Sequence, residues 1–139
     1  MTTDLTTRCR LVALPHVAEP RGSLCVAEAA RHVPFAIERV FWIFDVPGDG
    51  RRAFHAHREQ HEFIVAASGS FSVRAEDRRA TEHFVLDSPD KGLFIPELVW
   101  VELTEFSPQA LCLAFASGPY DEADNIRDHD EYRRLGAGR

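Results

Sequence analysis

Lysine is almost missing from this chain: Lys91 stands alone beside fifteen arginines. Cysteine is sparse as well. Cys9, Cys25 and Cys112 are odd in number and far apart, so they make neither a disulfide framework nor a CxxC metal knuckle. That usage fits a reduced, cytoplasmic protein. No long hydrophobic run occurs: the longest, Ala110 to Ala116, has seven residues, against the roughly 20 that a membrane helix needs. Residues Met1 to Arg10 hold no apolar stretch of the kind a secretory signal carries. A basic excess is lacking too, since 16 Lys and Arg against 22 Asp and Glu leave a formal net charge of −6. Nucleic-acid binding, which wants a basic face, is argued against. A small phosphorylated ligand held locally by a few arginines is compatible with the balance.

What is present is a chain of 139 residues, which reads as one domain, 1–139, with a core of its own. Short apolar or alternating runs recur along it: Arg8 to Leu14, Ser23 to Glu28, Ile37 to Phe44, Phe63 to Ala67, Phe71 to Ala75, His83 to Leu86, Leu93 to Ile95, Val99 to Phe106 and Leu111 to Ala116. Their β-branched and aromatic content predicts strands. Turn chemistry separates them, as in Pro47-Gly48-Asp49-Gly50 and Asp87-Ser88-Pro89-Asp90. Many short strands at regular spacing predict an all-β sandwich or barrel. The end of the chain differs. Asp121 to Leu135 is charged and rich in helix formers, with Ile126, Tyr132 and Leu135 spaced for a partial apolar face. It predicts a short helical tail, within 119–139, packed on the outside.

Seven histidines are present, and His55, His57 and His61 fall within seven consecutive residues. On a strand, positions i and i+2 share a face, so His55 and His57 project together. Glu62 lies beyond a short turn and can fold back onto the same site, and Gly69 is expected to close a tight hairpin. His61 sits one position before Glu62 and should face away. His16, His32, His83 and His129 are read as ordinary surface or core residues.

Glycine, HxH, four residues, Glu, six residues and Gly together resemble the first motif of the cupin superfamily. The resemblance implies a double-stranded β-helix, or jelly roll, in agreement with the strand pattern. In metal-dependent cupins a second motif adds a histidine. The matching segment, Gly92 to Pro96 followed by Trp100-Val101-Glu102, has none. His55, His57 and Glu62 remain a two-imidazole, one-carboxylate set of the sort that holds iron, zinc or manganese. Without the metal, two imidazoles serve as acid and base.

A closer resemblance runs through nearly the whole chain. Arg21-Gly22-Ser23-Leu24, Glu38 to Pro47, Arg52-Ala-Phe-His55-Ala-His57-Arg58, Gly69 to Val73, Leu86 to Pro89, Gly92 to Pro96, Trp100 and the tail Tyr120-Asp-Glu-Ala-Asp-Asn-Ile-Arg127 are similar to the dTDP-4-keto-6-deoxyglucose 3,4-ketoisomerases and related WxcM-type proteins. The resemblance implies an isomerase of deoxysugar biosynthesis, homodimeric and without a required cofactor, whose substrate is a dTDP-linked 4-keto-6-deoxyhexose. It implies active-site roles for His55, His57 and Arg52. His57 is expected as the base at C3 and His55 as acid or relay, with Arg52 on the oxyanion or the diphosphate. Glu62 stands where many members have Gln and is a third acid–base candidate. Ala53 and Arg58 replace an expected Gly and Lys, and the Phe41 to Phe44 strand lacks a tyrosine. Arg39, Trp42 and Arg58 are candidates for binding substrate. The alternatives are a metal-dependent cupin using His55, His57 and Glu62, and a sugar-nucleotide binding module without catalysis.

Overall fold

A computed structural model describes residues 6–137. In chain order the strands are β1 (Arg10–Ala13), β2 (His16–Glu19), β3 (Gly22–Cys25), β4 (Arg39–Phe44), β5 (Arg52–His57), β6 (Glu62–Ser68), β7 (Phe71–Glu76), β8 (Thr81–Leu86), β9 (Lys91–Ile95), β10 (Trp100–Thr104), β11 (Leu111–Ala116) and β12 (Asn125–Ile126). One helix, α1, spans His129–Ala137. The strands form two five-stranded antiparallel sheets, ordered β1-β9-β6-β11-β4 and β12-β5-β10-β7-β8, with β2 and β3 paired apart. The jelly-roll expectation agrees with this arrangement.

Alternation builds the layers. Ile64 and Ala66 of β6, Phe71, Val73 and Ala75 of β7, Val101 and Leu103 of β10, and Cys112 and Ala114 of β11 share one core cluster. They recur at every second position, as inward-facing strand residues must. Each fully buried Val, Leu or Phe contributes about 1.5–3 kcal/mol. The other face of β6 is covered as well: Phe63 and Val65 pack with Leu14 and Val33, flanked by Phe35, Ile37 and Phe115. A Cβ on Gly92 would overlap the Phe63 ring, so glycine there lets that aromatic lie across β9.

Gly69 does not close a hairpin. β6 and β7 lie in different sheets, and the turn at Gly69 (φ +65°) carries the chain from one to the other. A side chain at Gly69 would meet Ser107 and the Ala110 backbone, so both conformation and space require glycine. A strand absent from the sequence reading, β2, pairs with β3 in a hairpin whose residues are nearly all exposed. The tail is also corrected. Only 129–137 is α-helical; Glu122–Asp124 forms a 3₁₀ turn, and Asn125–Ile126 adds a short strand to the edge of β5. Its apolar residues are still buried, but not on one helical face: Ile126, from the strand, and Tyr132, from the helix, are buried with Ala56 and Trp100, and Leu135 packs against them.

Candidate active site

β5 presents its two histidines side by side, with ring centroids 4.9 Å apart and planes at 67°. Their approach follows an irregularity in the strand. Ala53 (φ 69°) and Phe54 (φ 55°) are both left-handed, and the β10–β5 register shifts between Val101 and Glu102. Two successive non-glycine residues in this region are strained by about 1–3 kcal/mol each, and such bulges re-aim the side chains beside them.

β6 starts on the opposite sheet and supplies Glu62 across the interior. Its Oε2 lies 2.9 Å from His57 Nε2. On the other side of the ring, His57 Nδ1 lies 3.0 Å from Asp124 Oδ2. His57, Glu62 and Asp124 are all buried. Burial alone would lower the pKa of His57, but the hydrogen bonds and charges of Glu62 and Asp124 outweigh it and hold the pKa above the ordinary value. Burial likewise opposes ionisation of Glu62, yet contact with His57 keeps its pKa below the usual one. His55 behaves in the opposite way. Burial lowers its pKa despite the nearby Glu62 charge, and its Nδ1 is buried without a hydrogen-bond partner. The neighbouring imidazoles are thus driven apart, His57 toward imidazolium and His55 toward the neutral ring.

With Asp124 behind His57 and outside the lining, His55, His57 and Glu62 line a cavity of about 580 Å³, within the usual range for small-molecule sites. Its floor includes Ile64, Leu103 and Cys112. Burial, with Glu62 adding to it, pushes the Cys112 thiol up to about 12, so it is a neutral apolar surface there. Arg39, Arg51, Arg52 and Arg127 stand around the cavity, which meets the expectation of local arginines in an acidic chain. Arg39 donates to the Gly118 carbonyl at 3.0 Å, and its guanidinium lies near the Phe41 and Tyr120 rings. Trp42 also borders the cavity and is 57% exposed, a rim residue and not a core one. β4 has no tyrosine, but the tail places Tyr120 at the mouth.

Arg58 is a correction. It lies in the bend just past the end of β5, where it bonds Glu131 at 2.8 Å and the Ala123 carbonyl at 3.3 Å. It ties the tail to the barrel outside the cavity. His61 also faces away, packing near Phe35 and Phe94 and pairing with Glu97. Sequence reasoning missed Asp124, Tyr120 and Arg127. Their signal was the tail motif, which carries part of the family resemblance but suggested no role for these side chains.

Comparison with known proteins places this geometry. A family model described as FdtA, WxcM-like, C-terminal matches residues 7–136. The chain is 35% identical over 125 residues to a TDP-4-oxo-6-deoxy-α-D-glucose 3,4-oxoisomerase from Aneurinibacillus thermoaerophilus, covering 90% of each. It is 36% identical to the crystal structure of WlaRB, a TDP-quinovose 3,4-ketoisomerase from Campylobacter jejuni, with TM-score 0.88 over 93% of this chain and 99% of that one. It is 30% identical to a mutant of the 3,4-ketoisomerase QdtA from Thermoanaerobacterium thermosaccharolyticum in complex with TDP-4-keto-6-deoxyglucose. That match has TM-score 0.92 over 96% and 97% of the two chains. Matched along nearly its full described length, the chain belongs to the FdtA, WxcM-like family.

Proposed function

We infer that this protein is a sugar-nucleotide 3,4-ketoisomerase, moving the carbonyl of a dTDP-linked 4-keto-6-deoxyhexose from C4 to C3. The observation that carries the reading is the adjacent histidine pair, with opposed protonation preferences, in the wall of an arginine-rimmed cavity. Pairs of titratable groups pushed apart by their surroundings mark acid and base. Family membership supports the same reading.

The C4 carbonyl acidifies the proton on C3. Neutral His55 takes it, and the C–H electron pair becomes the C3=C4 bond. The carbonyl π pair moves to O4, which accepts a proton from the His57 imidazolium and leaves an enediol. His57, now neutral, takes the proton from O3–H as that electron pair forms C3=O, and the C3=C4 pair takes the proton held by His55 to form C4–H, which returns both rings to their starting states. One hydrogen has moved between neighbouring carbons, with no net redox change. This order reverses the expected one, because the two carboxylates on His57 make it the proton donor. Glu62 keeps that ring charged, Arg52 faces the oxyanion or diphosphate, and Arg39 with Trp42 forms the rim that meets the nucleotide.

No resident metal is required in this scheme. A second reading has its own observation: donor atoms of His55, His57 and Glu62 lie within 4.8 Å of one another. With Asp124 behind His57 as outer partner, these residues fit a divalent cation, which would supply Lewis-acid polarisation of the carbonyl. Incubating untagged protein with dTDP-4-keto-6-deoxyglucose and following product by NMR separates the readings. Turnover that survives chelation and is lost in His57→Ala is expected. Turnover abolished by chelation and restored by one metal would favour the second. Absence of turnover and of C3–H exchange would sink the isomerase, leaving a binding module that dTDP stabilises.

We place the enzyme in the cytoplasm, where Cys9, Cys25 and Cys112 stay free as they are here, and assign it a homodimeric state. Among the described residues no helix is long and apolar enough to cross a membrane. The dimer is supported by β1 at the edge of its sheet and by the exposed β2–β3 hairpin.

A further inference from the structure

The tail motif, Tyr120 to Arg127, borders the cavity with Tyr120, Asp121, Asn125 and Arg127 and sets one buried carboxylate, Asp124, behind His57. Asp124 is 7% exposed and uses both carboxylate oxygens. Oδ2 meets His57 Nδ1 at 3.0 Å and accepts from the Gln60 amide at 3.3 Å. Oδ1 accepts from the Glu59 amide at 2.9 Å. The Asp124 carbonyl accepts from the Arg58 amide at 2.8 Å. Next along the chain, Asn125 and Ile126 pair with His57 and Ala56 in β-register. The residue is therefore fixed from both sides, by the β5–β6 turn and by the strand that carries His57. A surface ion pair would not be built this way.

A histidine on a strand keeps freedom about χ2, a broad terminal torsion. A carboxylate on Nδ1 removes it, placing a proton on Nδ1 and aiming Nε2 at the opposite side of the ring. That side is where Glu62 waits and where the cavity opens. We propose that Asp124 is a positioning residue for the isomerisation, and that the C-terminal tail is the strap that delivers it, fixing the plane of His57 and keeping a proton on Nδ1 while Nε2 exchanges its own with the substrate. The proposal rests on His57 taking part in the reaction, as inferred above. It adds that the residue governing His57 lies 67 positions further on, in the 3₁₀ turn that leads into the edge strand β12.

The test compares Asp124→Asn with Tyr132→Phe. The second variant removes only the hydroxyl that donates to the Glu76 and Leu98 carbonyls, loosening the tail's far end without touching the cavity. Asp124→Asn is expected to lower kcat at least about 10- to 100-fold, the range seen when a carboxylate is lost behind a metal-bound histidine, and up to about 10⁴-fold where the histidine itself transfers the proton. KM should change less than about twofold, because the rim residues stay in place. Tyr132→Phe should lower the melting temperature while keeping kcat within about twofold. A purely structural Asp124 would show the reverse, kcat following melting temperature in both variants, and that overturns the proposal. A readout independent of turnover uses ¹⁵N-labelled protein. Wild type should show a proton on His57 Nδ1 in a strong hydrogen bond, and Asp124→Asn should shift or lose that signal. If wild type shows no such proton, the proposal fails even where Asp124→Asn does not fold. If wild type lacks ketoisomerase activity but the signal behaves as expected, the functional reading fails and the positioning of His57 stands.

Discussion

Two imidazoles separated by one alanine occupy opposite electrostatic situations, and the cause is local. His57 is held between carboxylates from two other segments, whereas His55 has lost water and gained no partner for Nδ1. The sign of the pH dependence follows. Activity needs His55 neutral, which is met above its lowered pKa, and His57 charged, which is met below its raised pKa. Wild-type turnover should be bell-shaped, with limbs on either side of the ordinary histidine value of about 6.5. A profile of that shape also arises if the roles are exchanged, so a variant must decide. In His55→Gln the residual rate should fall as pH rises, since only the requirement for charged His57 remains. A residual rate that climbs with pH would return His57 to the role of base. At this scale the sequence was legible where spacing is short: the HxH pair and the nearby Glu62 follow from strand periodicity and one turn. Asp124 was not legible, because nothing in local spacing relates a residue to one so far along the chain. Arg58 was misplaced for a simpler reason: the strand ends at His57, and the bend that follows carries Arg58 out to the tail.

The bulge at the start of β5 is the element that makes the pair. Ala53 and Phe54 sit in left-handed conformations just before His55, which bears on the identity of residue 53, where a glycine was expected. A β-branched residue is disfavoured at positive φ and glycine is not. Ala53→Val should therefore destabilise the fold by about 1–3 kcal/mol, measured by denaturant unfolding, and lower activity by misdirecting His55. Ala53→Gly should be tolerated on both counts. Equal stability for the Val variant would show that β5 reaches its geometry without strain. Strands with an inward face were visible in sequence because burial imposes a period of two. β2 was not, since all four of its residues are exposed and no such period is written into it. The tail misled for a related reason. Its charged residues favour a helix locally, but the open edge of β5 pairs Asn125 and Ile126 first, and the helix begins only at His129.

Across the whole molecule, sequence neighbours seldom pair in space. Among the described residues only β2–β3 and β7–β8 are strands adjacent in sequence that share a sheet as neighbours. The β2–β3 hairpin is the piece the rest of the chain covers least: Val17 and Leu24 face each other in register and are 50% and 56% exposed. Two-stranded hairpins are marginal alone, and an apolar pair on one suits a contact between copies. Sedimentation at micromolar concentration should give a dimer, and Leu24→Asp should shift it toward monomer. A wild-type monomer would remove the assignment.

The order of the strap along the chain has a consequence in time. The lining strands β4, β5, β6, β10 and β11 are complete by Ala116, yet the tail that finishes the wall with Tyr120 and Asn125, and the Asp124 carboxylate that aligns His57, come after it. A growing polypeptide therefore owns most of the cavity before it owns an oriented histidine, and its chemistry switches on only when the last segment docks. A cut between Ala116 and Asp124 would run the sequence backwards, leaving a barrel that still resembles the enzyme and no longer turns over.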